Sequence, residues 1–323
     1  MELDFEKPVR DIREEIAQLE ARRRKGDSAA SARIAALRRK MRGEIARIYS
    51  SLTPWETVQV ARHPGRPTIV DYAHKACDEF IELHGDRCDG DDPAILGGFA
   101  RIGETRFMLI GHRKGGESVE QSIASNFGMA NPEGFRKALR LMKLAAKFGT
   151  PVVTLVDTPG AYPGQTAEEH GIAEAIGRNL MEMFTIETPI LTIVTGEGGS
   201  GGALGIAVGD RVLMLEHAIY SVISPEGCAS ILWRDGAKAP EAAAALRITA
   251  KDLVALKVAD GIVPEPPGGA GRDPATAIAL VRKAVVENLR SLAGEPGGIR
   301  LVEKRYRKFQ AMGKFDPRKA VRV

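Results

Sequence analysis

The run Pro189-Ile-Leu-Thr-Ile-Val-Thr195, followed by Gly196-Glu-Gly-Gly-Ser-Gly-Gly202, decides the fold. The first seven residues are almost uniformly apolar or β-branched, the pattern of a strand covered on both faces of a parallel sheet. The next seven hold five glycines, and an Ala/Gly-rich segment to about Val208 predicts a helix. Glycines between a strand and a helix let the backbone approach a ligand without a Cβ in the way. They also leave helix-start N–H groups aimed at whatever binds there.

The same grammar extends in both directions. Upstream, Pro151-Val-Val-Thr-Leu-Val156 is a second buried strand, followed by the loop Asp157-Thr-Pro-Gly-Ala-Tyr-Pro-Gly164 and a helix near 167–184. Before it, 94–102 and 106–112 predict a β-hairpin turning at Gly103-Glu104-Thr105, and a helix spans roughly 132–148 between Pro132 and Gly149. Downstream, 211–215 and 218–223 read as strands. The chain then turns helical, with a loop at 264–270 and a long helix over about 274–293. Strand–loop–helix units of this kind give an α/β domain with its site at the strand C-termini.

The first 50 residues predict a helical hairpin. Ile12, Ile16 and Leu19 line one helix, Ile34, Leu37, Met41, Ile45 and Ile48 the other, and Gly26-Asp27-Ser28 breaks and caps them. Two such stripes are expected to need the main domain or another chain to cover them, a first hint of an oligomer. The resulting division is 1–53 as an interaction hairpin, 54–295 as the main domain and 296–323 as a basic helical tail.

Composition removes several classes. With 44% hydrophobic and 27% charged residues in 323, the chain can bury a sizeable core and is not a disordered type. No apolar run approaches the 18 or so residues of a membrane span, and no apolar segment of a secretory signal opens the sequence. Cys77, Cys88 and Cys228 form no C-x-x-C pair, so neither a disulfide framework nor a zinc ribbon is expected. A cytoplasmic location follows as the expectation. The net charge of +4 resides in the ends: +4 over 1–50 and +7 over 300–323, against −7 between them. No stacking aromatics accompany the basic ends, so a solvated helix face is preferred to a nucleic-acid surface.

Three chemistries fit the glycine run. Gly196, Gly198 and Gly201 match a dinucleotide fingerprint, with Glu216 at the spacing of a ribose-binding acid. Gly198-x-Ser200-x-Gly202 matches a nucleophile elbow. The third reading is a backbone oxyanion hole, in which N–H donors hold developing negative charge. The elbow lacks a suitably placed downstream His, since only His217 follows and its acids crowd it. The fingerprint falls too late in the domain, with at least two units before it. Close helix–strand packing alone requires fewer glycines. Asp157 and Tyr162, in the neighbouring loop, are possible polar contacts. Lys114 is a candidate for steering phosphate or carboxylate groups, and His112, His170 and His217 form no ligand constellation.

Several longer motifs, in order, now join the argument. They are Gly111-His-Arg-Lys-Gly115, Asn126-Phe-Gly-Met129, Pro132–Met142, Asp157–Gly164, Gly196–Leu204 and Tyr220–Trp233. Together they resemble the carboxyltransferase alpha subunits of bacterial-type, multi-subunit acetyl-CoA carboxylases, and the resemblance covers nearly the whole chain. It implies a crotonase-like α/β fold, a superhelix of ββα units carrying an N-terminal helical hairpin. It also implies a transferase that works only with a zinc-ribbon-bearing beta subunit, in an α2β2 heterotetramer. The pair would move a carboxyl group from carboxybiotin, borne on a separate biotin carboxyl carrier protein and loaded by biotin carboxylase, to acetyl-CoA. Malonyl-CoA for fatty acid synthesis would result.

By the same resemblance, the N–H groups of Gly201 and Gly202 hold the biotin ureido oxygen. Gly160, Ala161, Tyr162, Gly198, Gly199, Ser200 and Lys114 are expected around the substrate, and no metal on this chain. Ser200→Ala is then expected to keep activity, and bulk at Gly201 or Gly202 to abolish it. The competing reading is a stand-alone crotonase-type enoyl-CoA hydratase or isomerase, with Glu197 or Glu226 as its acid–base residue.

Overall fold

The computed structural model describes residues 3–24, 30–115, 119–295 and 297–313. Eight strands form one mixed sheet in the order β1-β2-β3-β4-β5-β6-β8, with β7 paired to β5. The strands are β1 (Glu79–Glu82), β2 (Ile95–Ile102), β3 (Thr105–His112), β4 (Val152–Thr158), β5 (Ile190–Gly199), β6 (Arg211–Leu215), β7 (Ile219–Ser221) and β8 (Gly261–Val263). The pairings β1–β2 and β2–β3 are antiparallel and all later ones parallel, so the expected hairpin opens onto a parallel sheet.

The helices are α1 (Lys7–Arg24), α2 (Ala30–Tyr49), α3 (Pro54–Ala61), α4 (Ile69–Asp71), α5 (Val119–Ala124), α6 (Pro132–Lys147) and α7 (Gln165–Glu169). They continue with α8 (Ile172–Met183), α9 (Ser200–Leu204), α10 (Pro225–Trp233), α11 (Ala239–Leu246), α12 (Ala250–Ala255), α13 (Pro274–Ala293) and α14 (Ile299–Gln310).

Local chemistry accounts for these boundaries. α6 starts at Pro132, where a missing N–H costs nothing, and buries Phe135, Ala138, Leu141, Met142 and Ala145 along one face. The helix predicted near 167–184 is two helices, because Gly171 adopts φ +80° between α7 and α8. The central strands are apolar on both faces, Val152–Val156 and Ile190–Val194, and fuse with α6, α8 and α13 into one core. The short strands β1 and β8 lie where no strand was predicted. β1 exposes Ile81 and is a peripheral strand pairing only with β2, and β8 has just three residues, too few for periodicity to register.

The hairpin stripes need no second chain. Ile12 and Ile16 of α1 bury against Ala30, Ile34 and Leu37 of α2. Leu3, Val9, Ile45, Ile48 and Tyr49 form a second cluster with Val60 of α3. The stripes thus cover each other and the main domain, so their burial carries no hint of an oligomer. The expected breaker Gly26-Asp27-Ser28 lies outside the described residues.

The basic tail is tied to the domain. Arg305 of α14 is 1% exposed. It pairs with Asp210 at 2.7 Å and donates to the carbonyls of Met183, Ile186 and Thr188. Lys308 pairs with Asp260 and Lys304 with Glu295. Much of the charge on α14 is therefore spent within the chain, not displayed as a patch.

Candidate active site

The glycine run is less of a loop than its composition suggests. β5 continues through Gly199, with Gly198 in register with Thr158 of β4 and Tyr220 of β7. Only then does the chain turn, at Ser200 (φ +48°), into the single helical turn α9. The Ala/Gly-rich helix expected to reach Val208 thus ends at Leu204. Ser200 is exposed, Gly201 half-buried and Gly202 buried. As first-turn residues, Gly201 and Gly202 have no partner for their amides within the helix.

The glycines are demanded by contact distance. A Cβ on Gly199 would sit 2.1 Å from the Pro159 carbonyl oxygen. On Gly202 it would sit 2.3 Å from the Gly160 carbonyl carbon and 2.5 Å from the Ala161 nitrogen. Both neighbours are backbone and cannot rotate aside. On Gly198 a Cβ would meet the Tyr220 ring at 2.9 Å, whereas on Gly201 it meets only Ile176, at 3.6 Å, an ordinary contact. The loop Asp157–Gly164 therefore lies against α9. Thr158 pins it by accepting from the Gly160 amide and donating to the Gly160 carbonyl. The Tyr162 amide donates to the Ala130 carbonyl at 3.0 Å.

Beneath this turn lies a lattice of charge. Glu197, 5% exposed, accepts from Arg62 at 2.6 and 3.0 Å and from Lys114 at 3.0 Å. Lys114 also reaches Asp157 at 3.1 Å, and Asp157 accepts the Glu197 amide at 2.9 Å. Arg62 spans to Glu226. Two residues earlier in β5, buried Arg66 donates to the Thr195 carbonyl at 2.7 and 3.2 Å and forks onto Glu265. Burial pushes the Glu197 carboxyl up, but Lys114 and Arg62 outweigh it and hold it below the ordinary range. Burial pulls Lys114 down, and Asp157 and Glu197 more than restore it. Lys114 is thus built into the floor, with its charge matched by two carboxylates.

This geometry decides among the alternatives. Glu197 and Glu226 are both clamped on Arg62, so neither stands as a free acid–base group for hydration. Arg62, Arg66 and Glu265 were missed because isolated charges in sequence carry no sign of their partners. The available clue was a Glu inside an otherwise apolar strand, since a carboxylate there needs a cation.

Beside α9 opens an apolar cleft of about 320 Å³, lined by Ser200, Leu204, Tyr220, Val222, Ile248 and Phe309 among others. Asp89, Glu133 and His170 also converge, with ligand-type atoms within 4.8 Å of one another. Arg136 already pairs with both acids, which makes that group an ion-pair cluster. Cys228 is buried, as expected for a small core residue.

Comparison with known proteins agrees with the geometry. The family described as acetyl co-enzyme A carboxylase carboxyltransferase-like matches residues 2–313. An acetyl-coenzyme A carboxylase carboxyl transferase subunit alpha from Thermus thermophilus is 50% identical over 316 residues, covering 98% of this chain and 99% of its own. One from Synechococcus sp. (strain CC9311) is 51% identical over 313 residues, covering 97% and 94%.

Among solved structures, transcarboxylase 12S superposes with TM-score 0.59 at 20% identity over 75% of this chain and 45% of its own. The beta subunit of P. aeruginosa geranyl-CoA carboxylase superposes with TM-score 0.55 at 17% identity over 76% and 46%. The fold is the crotonase-like α/β fold expected from the sequence. With its glycine turn, facing loop and near-complete match, the chain belongs to the acetyl-coenzyme A carboxylase carboxyltransferase family, on the alpha-subunit side.

Proposed function

We propose that this chain forms one half of a carboxyltransferase site, in which the Gly201 and Gly202 amides hold an oxygen that gains negative charge. The observation that carries the reading is the packing of Gly199 and Gly202 onto Pro159–Ala161, so close that no side chain fits. A site walled by backbone presents amides, and two pre-oriented amides in a water-poor setting stabilise an oxyanion by several kcal/mol. The ureido oxygen of biotin fits this cradle, being a small planar acceptor that needs donors and no counter-charge. Biotin, brought by a carrier protein, supplies the transferable carboxyl group and the oxygen on which charge collects.

Every other contribution belongs to the chain itself. Arg66 and Glu265 fix β5 at Thr195, and Lys114, Asp157, Glu197 and Arg62 fix it again at the glycines. Gly160, Ala161 and Tyr162 form the opposite wall, and Gly198 and Gly199 permit its approach. Ser200 caps the cleft mouth and acts neither as nucleophile nor as base.

The acceptor is acetyl-CoA, and its thioester pocket belongs to a zinc-ribbon beta subunit in an α2β2 assembly. Biotin carboxyl carrier protein and biotin carboxylase complete the enzyme in the cytoplasm. Support for a partner comes from apolar side chains left uncovered: Val222, lining the cleft, is 75% exposed, and Ile231 and Leu232 of α10 are 72% and 64% exposed. The 1–53, 54–295 and 296–323 segments serve this assembly as hairpin, catalytic body and tail.

The test is carboxyl transfer from malonyl-CoA to free biotin, with this chain alone, the cognate beta subunit alone, and the two mixed. Activity confined to the mixture is expected. No activity from a folded complex would overturn the proposal, and hydration of an enoyl-CoA by the chain alone would replace it.

A further inference from the structure

Three groups stand apart from the proposed hole: the Asp89–Glu133–His170 cluster, the uncovered face of α10, and His112. The first is already an ion-pair cluster, with Arg136 on both acids and His170 on Glu133, and nothing in the structure commits the second to one occupant. His112 carries an inference.

The observation is a buried polar side chain with no partner among the described residues. His112 ends β3, 1% exposed, and neither ring nitrogen makes a hydrogen bond among the described residues. Such burial is penalised unless the group serves something. The Gly202 backbone acts on the ring and favours its protonated form, as a carbonyl does and an amide N–H does not. That carbonyl is itself passed over by the amides that follow it. Gly205 N–H donates to the Gly201 and Ala203 carbonyls, Ile206 N–H to Ala203, and Ala207 N–H to Leu204. An imidazole unpartnered among the described residues thus lies beside a carbonyl that accepts none of the Gly205, Ile206 and Ala207 amides, on the turn that carries the proposed hole.

We propose that His112 is a positioning residue, whose neutral imidazole donates an N–H to the Gly202 carbonyl and fixes the orientation of the α9 turn. The contact is open here and closes when an oxygen engages the amides on the other side of that turn, as such bonds often tighten on binding. Burial keeps the ring neutral by lowering its pKa to about 3, and Lys114 adds to this while the Gly202 carbonyl opposes it. A neutral imidazole carries one N–H, the donor the carbonyl lacks. The proposal rests on the oxyanion-hole reading, but its first test needs no turnover.

That test is ¹⁵N NMR of histidine-labelled complex with the beta subunit, with free biotin as the probe. His112 is expected to remain one neutral tautomer from pH 5 to pH 9, and its protonated nitrogen to shift downfield on adding biotin. Titration near pH 6.5, or no response where other site resonances do respond, would overturn it.

The variants are His112→Gln, which keeps a neutral N–H donor, and His112→Met, which fills similar space without one. With biotin bound, amide exchange of Gly201–Ala203 is expected to quicken in His112→Met and not in His112→Gln. In transfer assays kcat is expected to fall roughly tenfold in His112→Met, the usual weight of one hydrogen bond, with KM and Tm unchanged and with His112→Gln near wild type. Equal behaviour of the two variants in both readouts would reduce His112 to packing. Because exchange and chemical shift are read without catalysis, failure of the carboxyltransferase reading would show separately, as an inactive wild-type mixture.

Discussion

Gly202→Ala should be the most informative single methyl in this protein. The added Cβ would lie 2.3–2.5 Å from Gly160 and Ala161 backbone atoms. Relief requires the Asp157–Tyr162 wall and α9 to separate by about 1 Å, since ordinary contact begins near 3.4 Å. Overpacking of this kind costs about 1–3 kcal/mol. For a chain of this length that corresponds to a fall in Tm of roughly 2–5 °C.

The catalytic effect should be larger. A displacement of about 1 Å takes an amide out of hydrogen-bond range, and one lost oxyanion donor typically costs about 10²–10³ in kcat. Gly201→Ala is the internal control, because its Cβ meets only Ile176, at 3.6 Å. Its Tm should stay within about 1 °C of wild type, so any loss of activity there reports on ligand approach and not on the fold. The assay is malonyl-CoA to biotin transfer with the beta subunit present, paired with calorimetry. Gly202→Ala with wild-type Tm and rate would refute the close-packed backbone site.

Ser200→Ala should keep kcat within about threefold, because the hydroxyl has no assigned chemistry and both residues bear the same φ strain; a loss of about 10³ or more with an intact fold would reinstate a nucleophile. Arg305→Ala should destabilise by about 3–5 kcal/mol, because it strands Asp210 and three carbonyls under α14, and proteolysis of residues 299–313 should quicken with it. Glu197→Gln tests the lattice by pH: the folded-state pKa lies below the unfolded value, so the carboxylate's stabilisation is complete above about pH 4.5 and is lost as pH falls through the lower value. The stability gap between wild type and Glu197→Gln should therefore close on acidification below about pH 4; a gap that persists or widens there would contradict the ion-pair role.

Much of the fold was legible because its strongest signals are local. The runs 151–156 and 189–195 are apolar enough to identify central parallel strands, and Pro132 and Gly149 bracket α6 within a residue or two. Glycine misled in one direction only. Five glycines in seven residues read as loop, yet Glu197–Gly199 stay in the ladder, because Thr158 and Ile219–Ser221 supply strand neighbours that propensity ignores. The hairpin stripes were expected to need the main domain or another chain; Val60 of the main domain covers one part and the two helices cover the rest of each other, since a helical stripe shows that it is buried but not against what.

At the site, the glycines and their facing loop were visible as motifs. The charges holding them in place were not. Arg62 and Glu197 are 135 residues apart in sequence, and Arg66 and Glu265 199 apart; no spacing rule connects such pairs. The burial of His112 was hidden for the same reason, because a histidine ending an apolar strand looks like any edge residue until the sheet closes over it.

The central claim is that backbone N–H groups, not side chains, do the chemistry on this chain. An amide-to-ester exchange at Gly202 removes that one N–H and leaves every side chain and nearly all of the shape in place. Assembled with the beta subunit, the ester variant should lose about 10²–10³ in the rate of carboxyl transfer while Tm and complex formation stay near wild type. An ester variant that transfers at the wild-type rate would contradict the account, and the charge relief would have to be sought elsewhere in the assembly.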